Sequence, residues 1–183
     1  VLSEIVNHLI ASAEFRKSPN CSERPSGADV TLLVIHNISL PPGHFGGVYI
    51  SDFFQNKLDV SVDQYFEEIK NLKVSSHLLI DRLGKVIQFV PFNKNAWHSG
   101  ISLFQGQESC NDFSIGIEME GTDSIEYTNE QYESLQEVTL SIMKDYPEIV
   151  LDNIVGHSDI APGRKTDPGE SFDWSRYKSG INS

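Results

Sequence analysis

VTLLVIHN, Val30 to Asn37, is β-branched and apolar on both faces, the pattern of a central strand in a sheet covered on both sides. It ends on a histidine, His36. Beyond it, residues 38–56 carry Pro41-Pro42-Gly43 and Gly46-Gly47, which read as a long loop at the strand's C-terminal end. Phe113 to Glu120 alternates: Phe113, Ile115, Ile117 and Met119 point one way, while Ser114, Gly116, Glu118 and Glu120 point the other. His77–Asp81 and Lys85–Val90 read as a hairpin turning near Leu83-Gly84. Asn153–His157 is a short strand that again ends on a histidine. Between strands lie two helical patterns. One opens at Ser61, with Gln64 completing a capping box and Tyr65, Phe66, Ile69 and Leu72 on one face; the other opens at Thr128 with Gln131, burying Tyr132, Leu135, Ile142 and Met143. The expected fold is α/β, a central mixed sheet flanked by helices, in one domain over residues 1–183.

The 183 residues carry a formal net charge of −12, which repels nucleic acid and anionic membranes, so neither is an expected partner. No stretch is long and apolar enough to span a bilayer. The opening VLSEIVNHLIASAEF lacks a basic n-region followed by a long apolar core, although the chain starts at Val1 rather than Met. Cys21 and Cys110 are too few for a disulfide framework, and no Cys-x-x-Cys is present to hold a metal. The expected compartment is the cytoplasm.

GHSDIAPGRKTDPGESFDW, Gly156 to Trp174, sets His157, Asp159, Arg164, Lys165 and Asp167 among prolines and glycines, as a rigid loop or as a solvated charged surface. His36 and His157 each close an apolar strand, and two strand ends in one sheet can bring two imidazoles together. Asp167 can reach the same point. Two histidine nitrogens and one carboxylate oxygen, with a position left for water, form a catalytic zinc site. Each histidine alone reads as a hydrogen-bonded strand end, and ligands so far apart in sequence have no compact spacing to confirm them. His77 and His98 compete as ligands. His77 is expected in the core or a pocket wall, and His98, on a loop beside Trp97, either touches substrate or is structural. Asp159 rivals Asp167 but reads as a cap for nearby backbone donors. His8 and His44 carry no signal. Glu118 shares a polar strand face with Glu120, and Gly116 leaves space on that face, so either carboxylate suits a general base.

Four segments, VIHNISLPPGHFGG, WHSG, CNDFSIGIEMEGTD and GHSDIAPGRKTDPGESFDW, together resemble the N-acetylmuramoyl-L-alanine amidases of type 2. Within them the likeness is to the branch that acts on 1,6-anhydromuropeptides in peptidoglycan recycling. The wider family also holds phage amidases and peptidoglycan recognition proteins. The likeness runs in order from about Ser18 to about Tyr177. It implies a zinc ion on His36, His157 and Asp167, with Glu118 rather than Glu120 as base and Lys165 as oxyanion donor. It further implies Asn37 in the substrate pocket and an anhydromuropeptide as the small-molecule substrate. Two departures stand out. Lys73 occupies the place of an arginine that contacts the stem peptide, and Ser109 replaces a second arginine. Lysine keeps the charge but loses the bidentate fork. An amidase acting on intact murein and a non-catalytic peptidoglycan sensor are the competing readings.

Overall fold

The structure, a computed structural model, describes residues 3–182. Its centre is a six-stranded mixed sheet. The strands are β1 (Glu14–Phe15), β2 (Leu32–Ile38), β3 (Leu78–Ile80), β4 (Val86–Gln88), β5 (Ser114–Glu120) and β6 (Ile154–Gly156). They lie in the order β6-β2-β5-β3-β4-β1, and all neighbours are parallel except the β3–β4 hairpin. The both-faces-apolar run becomes β2, whose Leu32 to Ile35 are wholly buried. In the hairpin turn, Asp81 Oδ1 accepts the N–H groups of Leu83 and Lys85.

The helices divide between the two faces. α3 (Asn129–Asp145) starts with both capping-box bonds between Thr128 and Gln131 in place. With α5 (Trp174–Ile181) it covers one face, where Tyr132, Leu135, Val138, Ile142 and Tyr177 pack on Leu33, Ile35, Leu78, Ile115 and Ile117. Each such side chain contributes about 1.5–3 kcal/mol on burial. On the other face, α1 (Tyr49–Phe54) and α2 (Gln64–Ile69) set Phe53, Phe54, Phe66 and Ile69 against Leu79, Ile87 and Phe89. The remainder of that face is closed by Cys110, Phe113 and Ile160, packed on Leu32 and Val34. Ile160 ends the one-turn α4 (His157–Ile160).

Three expectations are corrected here. α2 is capped by Asp63, whose side chain accepts the Tyr65 N–H, while the Ser61 hydroxyl donates to Asp59 instead. Two cap-type residues stand two apart, and the acid next to the first turn also meets the positive end of the helix dipole. Leu72 follows that helix and is half exposed rather than on its buried face. The segment 38–56 is not all loop, because it contains α1.

Candidate metal centre

Parallel register assembles the site. Glu118 pairs with His36 across β5 and β2, and Gly156 pairs with Ile35 across β6 and β2, so His157 emerges level with His36. Three chemically able side chains therefore stand at the C-terminal ends of three adjacent parallel strands, where open α/β sheets bind ligands. Asp167 arrives from the loop after α4. Its backbone carbonyl accepts the Ser158 N–H. On its flanks, Asn37 Nδ2 donates to Pro168 O and to Asp123, and the Thr166 hydroxyl donates to the same Asp123.

His36 Nδ1, His157 Nδ1 and Asp167 Oδ2 form a triangle with sides of 3.0, 3.0 and 3.2 Å. Tetrahedral zinc with bonds of ~2.0–2.1 Å sets its ligand atoms roughly 3.3 Å apart, so a triangle of this size fits that ion. The other nitrogen of His157, Nε2, lies 3.0 Å from the carbonyl of Ser99. A carbonyl only accepts, so that nitrogen carries the proton and Nδ1 offers a lone pair to the triangle. A second lone pair comes from the Asp167 carboxylate. Such convergence without a cation between is unfavourable, and the donor set is the kind a borderline divalent ion takes.

The loop 97–111 braces the triangle from outside. Asn111 Oδ1 accepts the N–H groups of His98 and Ser99 and the Ser99 hydroxyl. Arg164 donates to the carbonyls of Ser99 and Ile101, tying the Asp167 loop to the same turn. Arg24 donates to the carbonyls of Phe92, Asn111, Asp112 and Ser114, fastening this loop to the sheet. The His98 imidazole is buried, with Nδ1 2.9 Å from His36 Nε2 and Nε2 3.1 Å from the Ser114 hydroxyl. It occupies the space beside Gly116, where a Cβ would come within 2.5 Å of the ring.

Burial lowers the His36 pKa to about 4 despite the Asp167 carboxylate beside it, so the ring is neutral at pH 7. Burial alone would raise Asp167, but the imidazoles of His157 and His36 against its Oδ2 hold it below the ordinary carboxylate range. Glu118 is 9% exposed and its Oε2 is buried without a hydrogen-bond partner. Burial, then the charge of Asp167, raises its pKa well above the usual value, opposed by Lys165. A cavity of about 350 Å³ opens over these groups. Asn37, Trp97, His98 and Lys165 line it beside the donors, and Phe53, Tyr65, Ile69 and Leu72 form its apolar end.

Residues 26–170 match the model of a family described as N-acetylmuramoyl-L-alanine amidase. The chain belongs to that family. Over 180 residues it is 53% identical to the 1,6-anhydro-N-acetylmuramyl-L-alanine amidase AmpD of Haemophilus influenzae, covering 98% of each chain. A crystal structure of a selenomethionine AmpD derivative superposes with a TM-score of 0.94 at 49% identity, covering 97% of this chain and 98% of that one. A complex of the Escherichia coli amidase AmiD with anhydro-N-acetylmuramic acid-L-Ala-D-γ-Glu-L-Lys gives a TM-score of 0.61 at 29% identity, covering 86% of this chain and 60% of that one. The mixed sheet with flanking helices is thus the fold of these amidases.

In this amidase the structure brings His36, His157, Asp167, Glu118, Lys165, Asn37 and His98 to one cavity. Lys73 is exposed on a small recess with Asn56, Leu58 and Lys70, which shares Phe53 and Leu72 with the cavity. Ser109 lines a separate groove with Ile101 and Arg164. Asp159 caps its own turn through the Gly156 N–H. His77 is buried in the interior, where its Nδ1 accepts the Gly116 N–H and its Nε2 meets Lys94 O. Glu120 is committed as well, accepting the N–H groups of Gly46 and Arg82. Cys21 and Cys110 are both free thiols. One expectation fails: the space beside Gly116 is not open to substrate, because the His98 ring fills it. Sequence reasoning missed Asn111, Ser114, Asp123 and Arg24. Each acts through a backbone carbonyl, a backbone N–H or a residue distant in sequence, and leaves no periodic trace.

Proposed function

We propose that this chain, over 1–183 as one catalytic domain, hydrolyses the amide between the lactyl group of 1,6-anhydro-N-acetylmuramic acid and L-alanine of the stem peptide. The observation that carries the reading is the unpartnered, buried Glu118 oxygen beside a triangle of lone-pair donors, open to a cavity of ligand size. A buried carboxylate left unpaired costs about 1–3 kcal/mol, and such a cost persists where the group has chemistry to do.

His36, His157 and Asp167 would hold zinc, which when bound would lower the pKa of a water towards neutrality and polarise the amide carbonyl. Glu118, the base, takes the proton of the attacking water and passes it to the departing alanine amine. Its raised proton affinity suits a carrier that must hold the proton between the two steps. Lys165, at the cavity wall, donates to the oxyanion as the carbonyl turns tetrahedral, a contribution of about 3–4 kcal/mol for such a donor. Asn37 has both its N–H groups committed to Asp123 and Pro168, so it meets substrate through its carbonyl oxygen. The site of action is the cytoplasm, on soluble muropeptides of the recycling route. Among the described residues no helix is long and apolar enough to cross a membrane.

The test is turnover of anhydromuramyl-tripeptide against intact murein, with chelator and then zinc add-back. Chelator-sensitive release of peptide from the anhydro substrate alone is expected. Cleavage of intact murein would move the activity to wall remodelling, and binding without cleavage would make the protein a sensor.

A further inference from the structure

His98 faces His36 across 2.9 Å from its own Nδ1 to Nε2, and one proton has to lie between the two rings. Two arrangements satisfy the chain that runs from His36 through His98 to Ser114. In the first, His36 carries its proton on Nε2, His98 accepts it at Nδ1, and the His98 Nε2–H donates to the Ser114 hydroxyl. The His36 Nδ1 lone pair then faces the donor triangle. In the second, the Ser114 hydroxyl donates to His98 Nε2, His98 carries its proton on Nδ1 and donates to His36 Nε2, and His36 holds a proton on Nδ1. That proton would sit among the metal donors and exclude an ion.

We propose that His98 is a positioning residue that selects the first arrangement, accepting the His36 Nε2 proton and so fixing His36 Nδ1 as a metal donor. This rests on reading the triangle as a zinc site. A neutral imidazole offers one donor and one acceptor, and His98 has a partner for each. Its position is fixed from three sides. The backbone N–H of His98 is held by Asn111 Oδ1, and the ring fills the space that Gly116 leaves. The His36 ring crosses it edge-on, at an interplanar angle of 85° and a centroid distance of 4.9 Å. His98 touches the cavity, but with both nitrogens spent inward its contribution to substrate binding is through His36. The Ser99 carbonyl performs the same selection for His157. The two histidine donors are thus oriented by consecutive residues of one turn.

The experiment measures zinc affinity by chelator competition for wild type, His98→Phe and His98→Asn, together with nitrogen-15 NMR of the imidazoles in zinc-loaded wild type. Phenylalanine keeps a ring beside Gly116 but accepts no hydrogen bond. Loss of such a partner weakens metal binding by ~10–100-fold. Asparagine places its oxygen where Nδ1 lies, so it should recover most of that loss. In wild type, His98 and His36 should both carry their protons on Nε2. A His98 proton on Nδ1 overturns the proposal even if the phenylalanine variant fails to fold. So does a phenylalanine variant that binds zinc as wild type does, or an asparagine variant no better than phenylalanine. Wild-type protein that takes up no zinc would instead overturn the metal reading on which this one stands.

Discussion

Replacing Gly116 by alanine tests how tightly the outer side of the site is built. The new methyl would lie 2.5, 2.6 and 2.7 Å from Cγ, Nδ1 and Cδ2 of His98, where ordinary contacts begin about an ångström further away. The ring cannot swing aside freely, since its nitrogens bond His36 and Ser114 and its backbone is held by Asn111. Overpacking of this kind costs about 1–3 kcal/mol. Losing or bending the two ring hydrogen bonds adds about 1 kcal/mol each. The sum is about 3–5 kcal/mol, which for a chain of this size lowers Tm by roughly 10 °C. Calorimetry on zinc-free protein reads that shift without interference from the ion. Removing the ring should relieve the clash, so Gly116→Ala combined with His98→Ala should destabilise by less than the two single changes added together. A Tm for Gly116→Ala within measurement error of wild type, or strict additivity in the double variant, would refute the account of this contact.

Other perturbations probe the chemistry. Glu118→Gln should bind zinc as wild type does, yet lose ~10²–10⁴-fold in kcat; turnover near the wild-type rate removes Glu118 as the base. Lys165→Ala should lower kcat by roughly 10²–10³-fold, the scale of one oxyanion donor, with little change in KM; an effect confined to KM would make it a binding residue only. Zinc at a hundredfold excess over its Kd should stabilise the fold by about 2.7 kcal/mol, seen as a Tm that rises with zinc and falls with chelator. Acid should destabilise zinc-free protein well above the carboxylate range. His36 and His77 titrate near 6.5 when unfolded but at about 4 and about 3 when folded, because burial disfavours their charged forms. Their stability is complete above ~6.5 and is lost as pH falls, each histidine removing about 1.4 kcal/mol per pH unit. Denaturant midpoints that stay flat between pH 7 and pH 5 would contradict this.

The sheet was legible because its two central strands announce themselves. β2 is a short β-branched run apolar on both faces, β5 alternates over seven residues, and both features point to strands. α3 was equally plain, since Thr128 and Gln131 cap it reciprocally. The start of α2 is ambiguous in the sequence because Ser61 and Asp63 compete locally for one role, and the backbone at residue 63 decides it. α1 was hidden: it is six residues long, and its N-cap, Val48, has no side chain able to cap it. His36 and His157 could be named from their places at strand ends and Asp159 set aside as a cap, whereas Glu118 could be chosen over Glu120 only through the family likeness. The packing of His98 against Gly116 was out of reach, as it depends on how a loop lies over a strand rather than on any local pattern.

β6 is an edge strand of three residues, paired to β2 on one side only, and His157 follows it directly. His36 and His157 are 121 residues apart, so the triangle exists only once long-range pairing is complete. Edge segments this short are among the first to open in a folded protein. Detachment of β6 carries one of the three donors away while β2 and β5 stay paired. The lifetime of a bound ion is therefore capped by the opening rate of that strand, and ion exchange becomes a clock for the motion of the sheet's edge.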